Sequence, residues 1–234
     1  MKKHFDRKVL LKIINSILFT ILLIILAMIL YDIISYYYYT NSIDKNKRRY
    51  NEIEAYHRYI TRQVEIYNNI INISDYLKMN NFIHKEINNY DLAFTIVNES
   101  LKKDLDPYLV LAIIEVESKF DHNAVSVMGA HGLMQLQENT AKFITKNDEI
   151  KVSSSKLKKD PLLNIKLGIA YFNYLLNKFE GNYKYAIIAY NLGINKVYSL
   201  MTSNTPLPKS YYNKVISTYK KINKIYNHKE TVKE

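Results

Sequence analysis

Two acids stand close together in one apolar stretch. Residues 108–120 read YLVLAIIEVESKF, with Glu115 and Glu117 near its end. At ~100° per residue a helix puts Val110, Ile113, Ile114 and Glu117 on one stripe. Glu115 falls roughly 160° away, beside Leu111 and Lys119. The i,i+4 order Glu115–Lys119 suits a solvent-facing ion pair. Glu117 closes an apolar stripe, where its charged form loses hydration and its pKa rises. Each unit of such a shift costs about 1.4 kcal/mol, so something must satisfy or use the group. A proton donor for a poor leaving group needs a carboxyl of this kind. From the helix alone, a structural Glu bonded to nearby backbone fits equally well.

The next segment adds a second element. Ser126-Val127-Met128-Gly129-Ala130-His131-Gly132-Leu133-Met134-Gln135 places two Gly three apart in a non-regular stretch. Such glycines allow a tight turn or close backbone approach to a ligand. Gln135 offers a donor and an acceptor suited to sugar amides and hydroxyls. Asp121 follows Glu117 by four residues, past the expected helix end, and reads as a solvated turn residue. Further on stands Ala189-Tyr190-Asn191-Leu192-Gly193. Tyr190 could fill core space like other tyrosines of the 22, and Asn191 could cap a helix. The six His form no H-x-x-x-H pair and there is no Cys, so no metal site and no disulfide is expected.

In order and spacing, Glu117-Ser118, Ser126 to Gln135 and Ala189 to Gly193 resemble the motifs of the lytic transglycosylase domain of the soluble and goose-lysozyme-like type. The resemblance spans about residues 91–226. It implies an all-α, lysozyme-like catalytic domain acting on peptidoglycan without cofactor. It implies Glu117 as the single acid/base. Ser118, Ser126, Gly129, Met134 and Gln135 are implied to shape the substrate cleft, and Tyr190 and Asn191 to face the reacting sugar. His131 occupies a position that the family leaves variable. Two departures stand out. Gln137 and Glu138 replace the family's apolar residue and Pro. The E-T-x-x-Y-V motif becomes Pro208-Lys209-Ser210-Tyr211-Tyr212, without its Glu and with Tyr212 at the Tyr position. The implied reaction leaves 1,6-anhydromuramyl ends. A hydrolytic muramidase on the same fold, with Asp121 as second carboxylate, and a weakly active wall-binding scaffold of a membrane apparatus are the alternatives.

The elements that must position these residues can be read around them. Asp106-Pro107 and Asp160-Pro161 each pair an N-cap with Pro at the first helical position. They predict helices over 107–119 and from 161 to a stop at Gly181. Further helices are expected at 183–191, to about 200, and over 209–226, with no alternating strand. All five Gly and all four Pro fall after residue 91. Upstream, 35–90 reads as a helical stalk, or as a helix packed on the downstream domain. Residues 13–34, IINSILFTILLIILAMILYDII, span about 33 Å as a helix, enough for a bilayer core. A cleaved signal peptide would have a shorter apolar run and a small-residue site, which Tyr31 to Tyr36 lack. The expected order is therefore a cytoplasmic 1–12, a transmembrane anchor 13–34, the stalk 35–90, the catalytic domain 91–226 and a tail 227–234. Lys2, Lys3, Arg7, Lys8 and Lys12 favour a cytoplasmic N-terminus, although Lys45, Lys47, Arg48 and Arg49 weaken that bias. The net charge is +11, yet all five Arg precede residue 63. Without the guanidinium forks that grip phosphate and guanine, nucleic acid is not an expected partner.

Overall fold

The computed structural model describes residues 7–146 and 152–226. The cations Lys2 and Lys3 and the tail 227–234 therefore lie outside the described residues. The chain forms two compact units, residues 1–63 and 64–234.

The first unit is helical throughout its described residues, as part of α1 (Arg7–Met79). Its apolar side chains are exposed, Leu22, Leu26 and Leu30 among them. Among the described residues, one helix is long and apolar enough to cross a membrane. None of its most apolar stretch is buried in protein, unlike the core helix of a soluble domain.

The second unit starts before position 91. The last turns of α1 bury Ile70, Ile73, Tyr76 and Leu77 in its core. The 3–4 spacing of these residues gives the helix one apolar face, which is why it packs. The helix stops at Met79, and a non-helical link leads to α2 (Asn89–Leu101). Asn88 caps α2 by accepting from the Asp91 N–H at 2.8 Å. Next come α3 (Pro107–Ser118), β1 (Ala130–His131) and β2 (Leu136–Gln137). The helices α4 (Glu138–Ile144), α5 (Ser154–Lys159), α6 (Pro161–Lys178), α7 (Tyr183–Leu192), α8 (Ile194–Thr202) and α9 (Ser210–Tyr226) complete the unit. The architecture is all-α apart from the two-residue strands, which pair antiparallel.

Both Asp-Pro signals mark real helix starts. Asp106 accepts from the Tyr108 N–H at 2.8 Å, and Asp160 from the Leu163 N–H at 2.9 Å. The second oxygen of Asp106 accepts from the Tyr219 hydroxyl at 2.5 Å, tying α9 to the start of α3. Every residue of α3 from Pro107 to Ile114 is buried. It is a central helix wrapped on all sides, rather than one with a single apolar stripe.

Candidate active site

Glu117 sits on the last turn of the buried helix α3, where the helix emerges from the core. Lys119 and Phe120 both adopt left-handed backbone, at φ 51° and 65°. That sharp turn ends the helix two residues after Glu117 and sends the chain into the loop opposite. Burial lifts the Glu117 carboxyl from its ordinary value of 4.5 to about 7, and a hydrogen bond from Tyr211 opposes the rise. The Tyr211 hydroxyl donates to Glu117 Oε1 at 2.5 Å. Its own pKa is raised by burial and by the neighbouring carboxylate, so it remains a donor.

The glycine-containing loop folds back as a tight hairpin. Ser126 binds Ala130 twice, its N–H donating to the Ala130 carbonyl and its Oγ accepting from the Ala130 N–H, both at 3.0 Å. Gly129 turns the chain at φ 72° with open space around it. Gly132 has φ 77°, and a Cβ there would collide with Asn164 at 2.5 Å. Asn164 is fully buried. Its Oδ1 accepts from the Met134 N–H at 2.8 Å, and its Nδ2 donates to the His131 carbonyl at 2.8 Å and the Leu157 carbonyl at 3.3 Å. This one side chain fastens the hairpin to α6.

A cleft of about 430 Å³ opens between the hairpin and α7. Glu117, Ser126, Gln135, Tyr190 and Asn191 line it, together with Met128, Gln137, Tyr171 and Gly193. Gln135 gives its amide nitrogen to the Gly132 and Ala124 carbonyls, at 2.9 and 3.1 Å, and so retains its carbonyl oxygen as an acceptor. The Tyr190 hydroxyl donates to the Met134 carbonyl at 2.9 Å, leaving its ring to form the wall. Asn191 is exposed at the cleft, and Gly193, not Asn191, is the helix C-cap.

Three residues expected to shape the cleft, Ser118, Met134 and Gly129, are not part of its lining. Ser118 donates back to the Ile114 carbonyl of its own helix at 3.2 Å. Met134 is buried in the core and serves through its backbone. Gly129 supplies only the turn. Among the described residues Glu117 is the one carboxylate lining the cleft. Asp121 accepts from the Asn123 N–H at 2.8 Å in its turn and does not line it.

Glu115 departs from its expected ion pair with Lys119. Because Lys119 leaves the helix in left-handed backbone, the i,i+4 geometry is lost. Glu115 instead accepts from the Tyr76 hydroxyl at 2.7 Å and pairs with Lys221 at 3.3 Å. It joins α3 to α1 and α9. The other departure concerns the Tyr211-Tyr212 pair. Tyr211, not Tyr212, reaches Glu117. Adjacent positions on a helix differ by ~100°, so only one of the two can face α3. Sequence reasoning missed Asn164, whose signal is a lone polar side chain on the face that holds Ile165 and Gly168.

The replacement of the family's Pro by Glu138 has a local account. Glu138 accepts from the Ser154 N–H at 2.8 Å and pairs with Lys142 at 2.6 Å. These hydrogen bonds, that of Lys142 first, hold its pKa down to about 2. The exchange trades a rigid helix start for a clamp between α4 and α5.

Comparison with known proteins gives a consistent picture. A sequence model of the transglycosylase SLT domain matches residues 94–213. The membrane-bound lytic murein transglycosylase E of Buchnera aphidicola is 35% identical over 166 residues, covering 62% of this chain and 73% of that one. The membrane-bound lytic murein transglycosylase C of Photorhabdus laumondii is 36% identical over 126 residues, covering 50% and 35%. The chain spans only part of such curated relatives, 35% of the length of one and 18% of another. Among solved structures, an inactive glutamate-to-glutamine mutant of the lytic transglycosylase Slt from Pseudomonas aeruginosa superposes with a TM-score of 0.52 at 29% identity, over 58% of this chain and 24% of that one.

Proposed function

Because the chain belongs to the transglycosylase SLT domain family, we propose that it is a membrane-anchored peptidoglycan lytic transglycosylase with Glu117 as its single acid/base. The carrying observation is one half-buried cleft carboxylate, its pKa lifted to about 7 and one oxygen held by Tyr211. Protonated Glu117 donates to the oxygen between N-acetylmuramic acid and N-acetylglucosamine. The acetamido group of the muramic acid supports the cationic centre. Glu117, now a base, takes the proton of the C6 hydroxyl as that oxygen attacks C1. Holding the attacking hydroxyl within the substrate exploits a high effective molarity. Gln135 and Asn191 offer polar contacts to the sugars, while Ser126 holds the hairpin and Tyr190 walls the cleft. The inactive mutant of the Pseudomonas relative supports a glutamate as the required group there.

The pH dependence tests this chemistry. The proton-donating form is lost as pH rises through about 7, so kcat/KM should fall roughly tenfold per unit above that point. Tyr211→Phe removes the hydrogen bond that opposes the rise. Its alkaline limb should therefore move to higher pH, with lower activity from the looser carboxyl. Clearing of isolated peptidoglycan by the full chain in detergent, followed from pH 5 to 9, measures both. A Tyr211→Phe limb at lower pH would contradict the assignment.

The membrane-bound relatives and the apolar N-terminal helix support anchoring through residues 13–34. We place the chain as a single pass, N-terminus in the cytoplasm and residues 40–234 on the wall side, where the substrate lies. The cations at positions 2 to 12 favour this orientation. A reporter fused after Glu234 should be active only outside the cytoplasm; cytoplasmic activity would refute the topology.

A further inference from the structure

The cleft chemistry makes no use of the part of α1 that follows the apolar span, and that part carries a pattern of its own. Between 36 and 60, residues three and four apart form one stripe of the helix: Tyr36, Tyr39, Ile43, Tyr50, Ile53 and Ile60. Asn46 and His57 take the two remaining places, so the alternating spacing runs unbroken from Tyr36 to Ile60. In heptads written abcdefg from Tyr36, the stripe is a and d. Every Asp, Glu, Lys and Arg of 36–60 lies off it. A strict seven-residue repeat drifts around a straight helix, and helices keep such a seam in contact by winding left-handed about each other.

Nothing in the first unit covers this seam. The described residues of that unit all belong to α1, which leaves no second element there to pack against. All six apolar residues of the stripe are exposed, Tyr50 by 65% and Ile53 by 62%. Most helical stability in proteins comes from packing such a face, not from propensity. The charges beside the seam say what fits on it. In a parallel pair, position g of one helix meets position e of the following heptad on the other. Arg49 is at g and Glu54 at e. Each copy thus offers its Arg49 to the Glu54 of the other. Within its own helix Glu54 uses Oε2, toward Arg58 at 3.3 Å, and a carboxylate has a second oxygen to give. The neighbouring g and e positions, Ser42 with Lys47 and Tyr56 with Thr61, bring no like charges together. Asn46 and His57 weaken the seam but penalise other registers. Two copies enter the membrane the same way round, which makes the pair parallel.

We propose that residues 36–60 wind in parallel and in register with a second copy of this chain as a coiled coil. This rests on the anchoring through 13–34, not on the cleavage reading. The chain has no Cys, so single cysteines report on the seam alone. Full chains carrying Ile53→Cys, Ile60→Cys or Ala55→Cys are oxidised in isolated membranes with copper phenanthroline, and disulfide-linked dimers are followed over time. Positions 53 and 60, at d, face their own copies, whereas 55, at f, points away. The d variants should link roughly tenfold faster than Ala55→Cys, because a disulfide needs Cβ atoms about 4 Å apart. Arg49→Glu added to Ile53→Cys should slow linking about fivefold, the scale of two exposed ion pairs, and further adding Glu54→Arg should restore most of it. Equal linking at all three positions would reduce the pairing to collision in the membrane and overturn the proposal. So would the absence of linking at 53 and 60. No slowing by Arg49→Glu, or no restoration by Glu54→Arg, would overturn the parallel register. Clearing of peptidoglycan by the same membranes reads the cleavage proposal separately: its loss with linking intact leaves the seam standing, and the reverse leaves the cleavage standing.

Discussion

Glu117→Gln is expected to lower peptidoglycan cleavage by roughly 10²–10⁴-fold or more, because the same carboxyl gives and then takes a proton. The amide keeps the shape and can still accept from Tyr211, so binding to isolated peptidoglycan should persist. The substitution should also change stability, in a direction set by pH. Folding raises the Glu117 pKa from 4.5 to about 7. Its carboxyl is therefore tolerated below pH 4.5 and destabilises the fold as pH rises through 7. At pH 8 the neutral amide should stabilise the chain by on the order of 3 kcal/mol, and at pH 4 by about nothing. Thermal unfolding at the two pH values, beside clearing assays, checks both halves. A variant that still cleaves at the original rate would end the catalytic assignment. Unchanged stability at pH 8 would contradict the burial argument.

The second large effect belongs to Asn164, which has no reacting atom nearby. Asn164→Ala should leave the Met134 N–H and the His131 carbonyl without their partner inside the protein. An unsatisfied buried polar group costs about 1–3 kcal/mol. The expected loss is about 3 kcal/mol, or roughly 6–12 °C in unfolding temperature for a unit of this size. Activity should fall too, since the hairpin that carries Ser126 and Gln135 loses its fastening to α6. A shift of under about 2 °C would show that the hairpin is held by other contacts.

What the sequence disclosed follows the range of the forces involved. Asp106-Pro107 and Asp160-Pro161 announce helix starts because capping is settled within four residues. That Glu117 loses hydration was legible because it follows a run of apolar residues on the same helix, Pro107 to Ile114, all of them buried. The partner of Glu115 was not legible, since Tyr76 and Lys221 lie 39 and 106 residues away. Nor was the choice of Tyr211 over Tyr212, which depends on the rotation of α9 against α3. Asn164 escaped notice because its partners are backbone atoms, which leave no mark on composition. For 35–90 the sequence leaves open a stalk or a helix packed on the downstream domain, and the last turns of α1 do pack into that core. Their apolar spacing fits either a stalk face or a buried face until the neighbouring surface is known. The short helices α4 and α5 carry too few apolar residues for periodicity to reveal them.

The central claim is that Glu117 directs an intramolecular attack by the C6 hydroxyl, without a second carboxylate and without water as nucleophile. Mass spectrometry of the fragments released from isolated peptidoglycan by the full chain in detergent tests this directly. A 1,6-anhydro end is lighter than a reducing end by one water. The account predicts fragments ending in 1,6-anhydromuramic acid, absent when Glu117 is replaced by Gln. Reducing muramic ends would show that water attacks C1 and would replace the transglycosylase with a muramidase.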